Sequence, residues 1–110
     1  MKENSQKKNG KLRKALYAGS FDPPSNGHLD IIRRGQDLCD VMQVGIAINT
    51  NKKPIFSYEK RKELLEKITN DMNVEVVFIQ GLLAEYVLEN DIDFMVRGIR
   101  SYSDFDSEFT

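Results

Sequence analysis

Apolar residues fall along this chain in two alternating rhythms. Arg13–Ala18 reads as a short strand whose inner end is apolar, and Leu29, Ile31, Ile32 and Leu38 then recur at helical spacing with Asp30, Arg33, Arg34 and Asp37 between them. Val41–Ile48 is a near-continuous apolar run, the pattern of a strand buried on both faces, as parallel sheets require. After a loop over Asn49–Phe56, Ser57 is placed to cap a helix running to Asn70, with Leu64, Leu65 and Ile68 on its inner stripe and Glu/Lys pairs outside. Val74–Ile79 reads as a third strand, Leu82–Glu89 as a short helix, and Phe94–Val96 as a fourth strand. Strand and helix alternate throughout, which predicts an α/β domain: an open parallel sheet joined by right-handed crossovers.

Composition narrows the class without naming a chemistry. A chain of 110 residues with 40% hydrophobic and 30% charged positions suits one small globular domain. A formal net charge of −1 gives no overall attraction to nucleic acid or to anionic membrane. Charge is nevertheless uneven: Lys2, Lys7, Lys8, Lys11, Arg13 and Lys14 stand against Glu3 alone. Residues 1–12 are therefore expected to form a solvated basic tail, with the folded domain over residues 13–110. Cys39 has no second cysteine to pair with, and its place on the apolar side of the first helix predicts a buried structural thiol. There is no leader-like apolar stretch near Met1 and no run of membrane-spanning length, which points to a cytoplasmic protein.

The chemistry concentrates between the first strand and the first helix, in Tyr17-Ala-Gly-Ser-Phe-Asp-Pro-Pro-Ser-Asn-Gly-His28. Here a strand runs through a glycine-bearing turn into a helix start, with Asn26 the expected N-cap. Helix N-termini offer unpaired N–H groups and the positive end of the macrodipole, a natural seat for phosphate. His28, the sole histidine, falls in the first helical turn and is aimed at the same place. A lone histidine there can cap or pack the helix, or donate to a bound phosphate. Ser20 follows at the strand end with a hydroxyl suited to a phosphate oxygen, whereas Asp22 and Pro23 are read as shaping the turn.

The stretch Gly19-Ser20-Phe21-Asp22-Pro23 followed by Ser25-Asn26-Gly27-His28 resembles the (T/H)xGH signature of the nucleotidylyltransferase superfamily. Lys52-Lys53-Pro54, Arg97-Gly98-Ile99-Arg100 and Asp104-Phe105-Asp106-Ser107-Glu108 follow in the order found in the phosphopantetheine adenylyltransferase family. The resemblance implies a Rossmann-like sheet of order 3-2-1-4 with helices on both faces. It also implies a fifth strand, more helices and an ISSxxxR-type motif beyond Thr110. The chain is thus expected to be roughly the N-terminal two thirds of such an enzyme, C-terminally incomplete, and its own activity stays open.

The implied reaction is adenylyl transfer from ATP to 4′-phosphopantetheine, giving dephospho-coenzyme A and pyrophosphate, with Mg²⁺ accompanying ATP. Its nucleophile is already a phosphate oxygen, so catalysis reduces to alignment and charge stabilisation. By correspondence His28, Lys52 and Arg97 are the catalytic residues. Ser20, Phe21, His28, Gly98, Ile99, Arg100 and Glu108 contact ATP, and Ser20, Lys52, Leu83 and Arg97 contact phosphopantetheine. Each has a plainer reading: exposed loop lysines are usually solvated, Arg97 can pair with Asp91 or Asp93, Leu83 can be core, and Glu108 can lie on a charged helix face. No metal cluster is expected. The partners are ATP and phosphopantetheine, with neither nucleic acid nor membrane, and the family's hexamer implies a homo-oligomer. Two alternatives remain: a nicotinate or nicotinamide mononucleotide adenylyltransferase, against which Ser25 stands where that family usually has His, and a substrate-binding module without turnover.

Overall fold

Parallel pairing organises the whole molecule. In the computed structural model, which describes residues 12–49 and 53–97, the elements are β1 (Lys14–Gly19), α1 (Asn26–Gln36), β2 (Val41–Ala47), α2 (Tyr58–Ile68), β3 (Val74–Ile79), α3 (Leu83–Glu89) and β4 (Phe94–Met95). The strands form one sheet in the order β3-β2-β1-β4, every neighbouring pair parallel. Lys14 pairs with Val41, Met42 with Val74, and Leu16 with Met95. The expected α/β architecture and strand order are both present. Residues 1–11 of the expected basic tail and the Asp104–Glu108 stretch lie outside the described residues.

Strand alternation divides the core between two faces. Ala15 and Tyr17 of β1 and Met42, Val44 and Ile46 of β2 point to one side, where they meet Ile32 of α1 and Leu65 of α2. Leu16 points to the other, with Ile79, Ile92 and the α3 residues Leu83, Tyr86 and Val87. Helices therefore cover both faces, with α3 the one helix among the described residues on the second. Two close approaches explain small residues in these layers. A Cβ on Gly35 would stand 2.9 Å from Met42 Cε, and one on Gly45 would run into Ile79 Cδ1.

The polar exception in β2 is Gln43, only 7% exposed. Its amide donates to Glu75 Oε1 at 2.8 Å and accepts from the Tyr86 hydroxyl, so the buried group is satisfied and fastens α3 to the sheet. Partial burial, then the negative charge of Glu75, pushes the Tyr86 hydroxyl pKa above its ordinary value.

Several boundaries differ from the periodicity. Ser25, not Asn26, is the N-cap of α1: its backbone is extended and its side chain accepts from the His28 amide, while Asn26 is already helical. Helix α1 ends at Gln36, so Leu38 lies beyond the apolar stripe and is 59% exposed. Cys39 is buried as expected, though it follows the helix rather than lying on it, with its thiol 3.5 Å from the Gly35 carbonyl. Helix α2 stops at Ile68 because Thr69 closes it, its hydroxyl donating to the Leu65 carbonyl at 2.7 Å.

Candidate functional site at the carboxyl edge of the sheet

Because all four strands run in the same direction, their carboxyl ends share one edge. The crossovers out of β1 and β2 pass over one face and the crossover from β3 to β4 over the other. The connections therefore diverge beside β1, where open α/β sheets hold their ligands. The segment leaving β1 turns sharply at Phe21, whose φ is +50°, and continues through a cis Asp22–Pro23 peptide bond. Phe21 is 1% exposed. Its ring meets Tyr17 edge-on at 5.3 Å and His28 at 4.8 Å, so one buried aromatic joins the strand end to the helix start.

His28 occupies the third position of α1 and closes a capping box with Ser25. The His28 amide donates to Ser25 Oγ at 3.2 Å, and the Ser25 amide donates to His28 Nδ1 at 3.0 Å. A nitrogen that accepts an N–H carries no hydrogen of its own, so this pattern assigns the hydrogen of the neutral ring to Nε2. Capping uses Nδ1, so it does not contradict the reading of Nε2 as a phosphate donor. No acidic side chain occupies the first turn of α1, so nothing from that turn offsets the positive end of its dipole.

A second segment, between β2 and α2, faces this turn across a cavity of about 460 Å³ lined by Gly19, Ser20, Asp22, Asn49, Lys53 and Arg61, among others. Asp22 spans the two segments: its carboxylate accepts from the Ile55 and Phe56 amides, each at 2.7 Å, and pairs with Arg61 at 3.3 Å. Desolvation alone would raise the Asp22 pKa. The two amide donors and the Arg61 cation outweigh it and hold the carboxyl below the ordinary aspartate value. Arg61, 4% exposed, also donates to the carbonyls of Phe56 at 2.9 Å and Ser20 at 3.2 Å and stacks over Tyr58 at 4.3 Å. The Tyr58 hydroxyl in turn accepts from the Asn49 amide at 2.8 Å and donates to the Asn49 carbonyl at 3.1 Å.

Of the residues expected from sequence, Ser20 lines the cavity, with Phe21 and His28 beside it in the same turn. Arg97 is exposed just past β4, so it stands on the far side of β1 from the cavity. Asp93, one of its suggested partners, accepts from the Lys14 amide at the start of β1. Leu83 begins α3, its half-buried side chain packed against the Leu16, Ile79 and Ile92 cluster. Lys52, Gly98, Ile99, Arg100 and Glu108 lie outside the described residues.

Arg61, Tyr58 and Asn49 were not expected. A signal for Arg61 exists in the sequence. It precedes Leu64, Leu65 and Ile68 at i, i+3, i+4 and i+7, so a charged residue occupies a core position of the α2 stripe. Among the described residues no group of three or more His, Cys, Asp or Glu side chains is arranged to hold a metal ion. No helix among them is long and apolar enough to cross a membrane.

Residues 16–110 match the family model described as cytidylyltransferase-like. A phosphopantetheine adenylyltransferase of Clostridium tetani is 47% identical over 96 residues, covering 86% of this chain and 60% of that protein. One from Caldanaerobacter subterraneus subsp. tengcongensis is 46% identical over 99 residues, covering 89% and 62%. The chain thus spans about 60% of the length of the curated relatives it matches. Among solved structures, a lipopolysaccharide core biosynthesis protein from Thermoplasma volcanium GSS1 superposes with a TM-score of 0.61 at 21% identity, covering 88% of this chain and 85% of that one. A NadR protein in complex with NAD and AMP-PNP gives 0.59 at 21% identity, covering 90% and 35%. Both likenesses concern the fold.

Proposed function

We propose, because the chain belongs to the cytidylyltransferase-like family, that it is the nucleotide-binding part of a phosphopantetheine adenylyltransferase. In the reaction an oxygen of the 4′-phosphate attacks the α-phosphorus of ATP. The bond from that phosphorus to the bridging oxygen of the β-phosphate breaks, pyrophosphate leaves, and the product is dephospho-coenzyme A. The observation that carries the reading is the placing of His28. It sits in the first turn of α1, and its Nδ1 accepts from the Ser25 amide, which puts the hydrogen of the neutral ring on Nε2, the atom that would donate to a phosphate there.

In this reading Nε2–H of His28 hydrogen-bonds the ATP phosphates as charge builds on them. The Ser20 hydroxyl contacts both substrates, and the Phe21 amide contacts ATP while its ring stays in the core. Lys52 contacts the phosphates, and Arg97, just past β4, takes the phosphopantetheine phosphate. Leu83 reaches the pantetheine arm through its backbone, and Gly98, Ile99, Arg100 and Glu108 complete the nucleotide contacts. Mg²⁺ would accompany the triphosphate, held largely by the ATP phosphates themselves. The same reading makes the chain part of a cytoplasmic, self-associating enzyme of coenzyme A synthesis.

The reading set against it is a module that binds substrate without turnover. Pyrophosphate release with ATP and Mg²⁺, compared across 4′-phosphopantetheine, nicotinate mononucleotide and glycerol 3-phosphate, tests the proposal. Release with phosphopantetheine alone is expected. Release with nicotinate mononucleotide instead would overturn the substrate assignment. Calorimetric binding of phosphopantetheine without release would establish the module.

A further inference from the structure

A buried cation in the wall of a phosphate-sized cavity invites assignment as a phosphate ligand, yet the surroundings of Arg61 argue otherwise. Each of its three guanidinium nitrogens meets a protein oxygen, which takes up three of its five N–H donors. Nε donates to the Phe56 carbonyl, one terminal nitrogen to the Ser20 carbonyl, and the other pairs with Asp22. Its flat face lies on Tyr58, and its side chain is 5% exposed. These acceptors belong to both walls: Ser20 and Asp22 to the turn after β1, Phe56 to the segment before α2. Asp22 closes the circuit from the other side by accepting the Ile55 and Phe56 amides.

We propose that Arg61 is a positioning residue that locks the Gly19–Asp22 turn to the 53–57 segment, so that Ser20 and the lysine-bearing segment are held in register across the cavity without Arg61 itself binding phosphate. The guanidinium plane is required because three acceptors in three directions must be met by one rigid fork, which an ammonium on a flexible stem cannot do. The functional part of this inference rests on the cavity being the ATP site. The lock rests on the hydrogen bonds alone.

The test compares Arg61→Lys, Arg61→Gln and Asp22→Asn in the full chain with two readouts. The first is the proton shift and exchange protection of the Ile55 and Phe56 amides by NMR. The second is ATP affinity by calorimetry. The lock predicts that Lys and Gln behave alike: both amides move upfield, lose protection at least about tenfold, and ATP binding weakens about tenfold or more in each. Asp22→Asn, which leaves Arg61 in place, should move the same two amides. The double variant Asp22→Asn/Arg61→Gln should weaken ATP no further than either single change. Wild-type ATP affinity in Arg61→Lys beside a loss in Arg61→Gln would overturn the proposal in favour of direct charge on the ligand. Amides that stay put in all three variants would overturn it as well. Should either Arg61 variant fail to fold, Asp22→Asn decides on the amide signals. If the wild-type chain binds no ATP, the functional reading fails while the amide comparison still judges the lock.

Discussion

The two segments that leave β1 and β2 at the carboxyl edge are held by opposite means. The turn after β1 supports itself. Phe21 is wedged between Tyr17 and His28, and Ser25 and His28 cap each other three residues apart. By contrast, the segment before α2 takes its shape from residues distant in the chain. The Ile55 and Phe56 amides rest on Asp22, more than thirty positions earlier, and Arg61 reaches back to Ser20. The Asn49 end is gripped by Tyr58. The first segment is a preformed cradle at a helix start, and the second inherits its position from the first. One geometry can therefore fail without the other, and the site needs both.

The largest effect should come from removing the pillar of the self-supporting turn. Phe21→Ala deletes a fully buried ring and is expected to cost about 3–5 kcal/mol, read as a fall in denaturant midpoint at unchanged slope. An exposed-residue loss below about 0.5 kcal/mol would mean the turn does not depend on it. His28→Ala should lower pyrophosphate release by about a hundredfold or more through loss of the phosphate donor. It gives up only half a capping box, about 1 kcal/mol of stability, and melting curves beside turnover separate the two losses.

Ser25→Ala sharpens the contrast. It removes the cap acceptor while keeping the imidazole, so it should cost about 1 kcal/mol and reduce turnover far less than His28→Ala. Equal losses in the two variants would show that His28 acts only through the cap. The mildest effect concerns the inherited segment and acid. Because the folded pKa of Asp22 is lowered, its contribution to stability is complete above the ordinary aspartate value. That contribution is lost as pH falls below about 4. Asp22→Asn should flatten that part of the stability profile, and an unchanged acid limb would contradict the role given to its carboxylate.

The same contrast explains what could be read from the chain. Self-support is local, so the strand–turn–helix and the placing of His28 were legible in neighbouring residues. The cap shifted by one position, because Ser25 and Asn26 are both good caps and only the backbone at Ser25 is extended. The alternation of strands and helices followed from apolar spacing. The order 3-2-1-4 came from family resemblance, since spacing does not say which strands are neighbours. Arg61 was missed for a physical reason. Its partners Ser20 and Asp22 lie about forty positions away and meet it only once β1 and β2 are side by side. Leu38 misled because helical spacing continues past Asp37, where the helix has already closed.

One measurement bears most directly on the claim that both segments form a single nucleotide site. It is an amide shift map of the labelled full chain titrated with ATP and Mg²⁺. The account predicts movement of Gly19, Ser20, Phe21 and His28 together with the described residues from Lys53 to Tyr58. Asp40, Asn73 and Asp93, at the opposite edge of the sheet, should stay still. Shifts confined to that opposite edge, or none at saturating nucleotide, would contradict it.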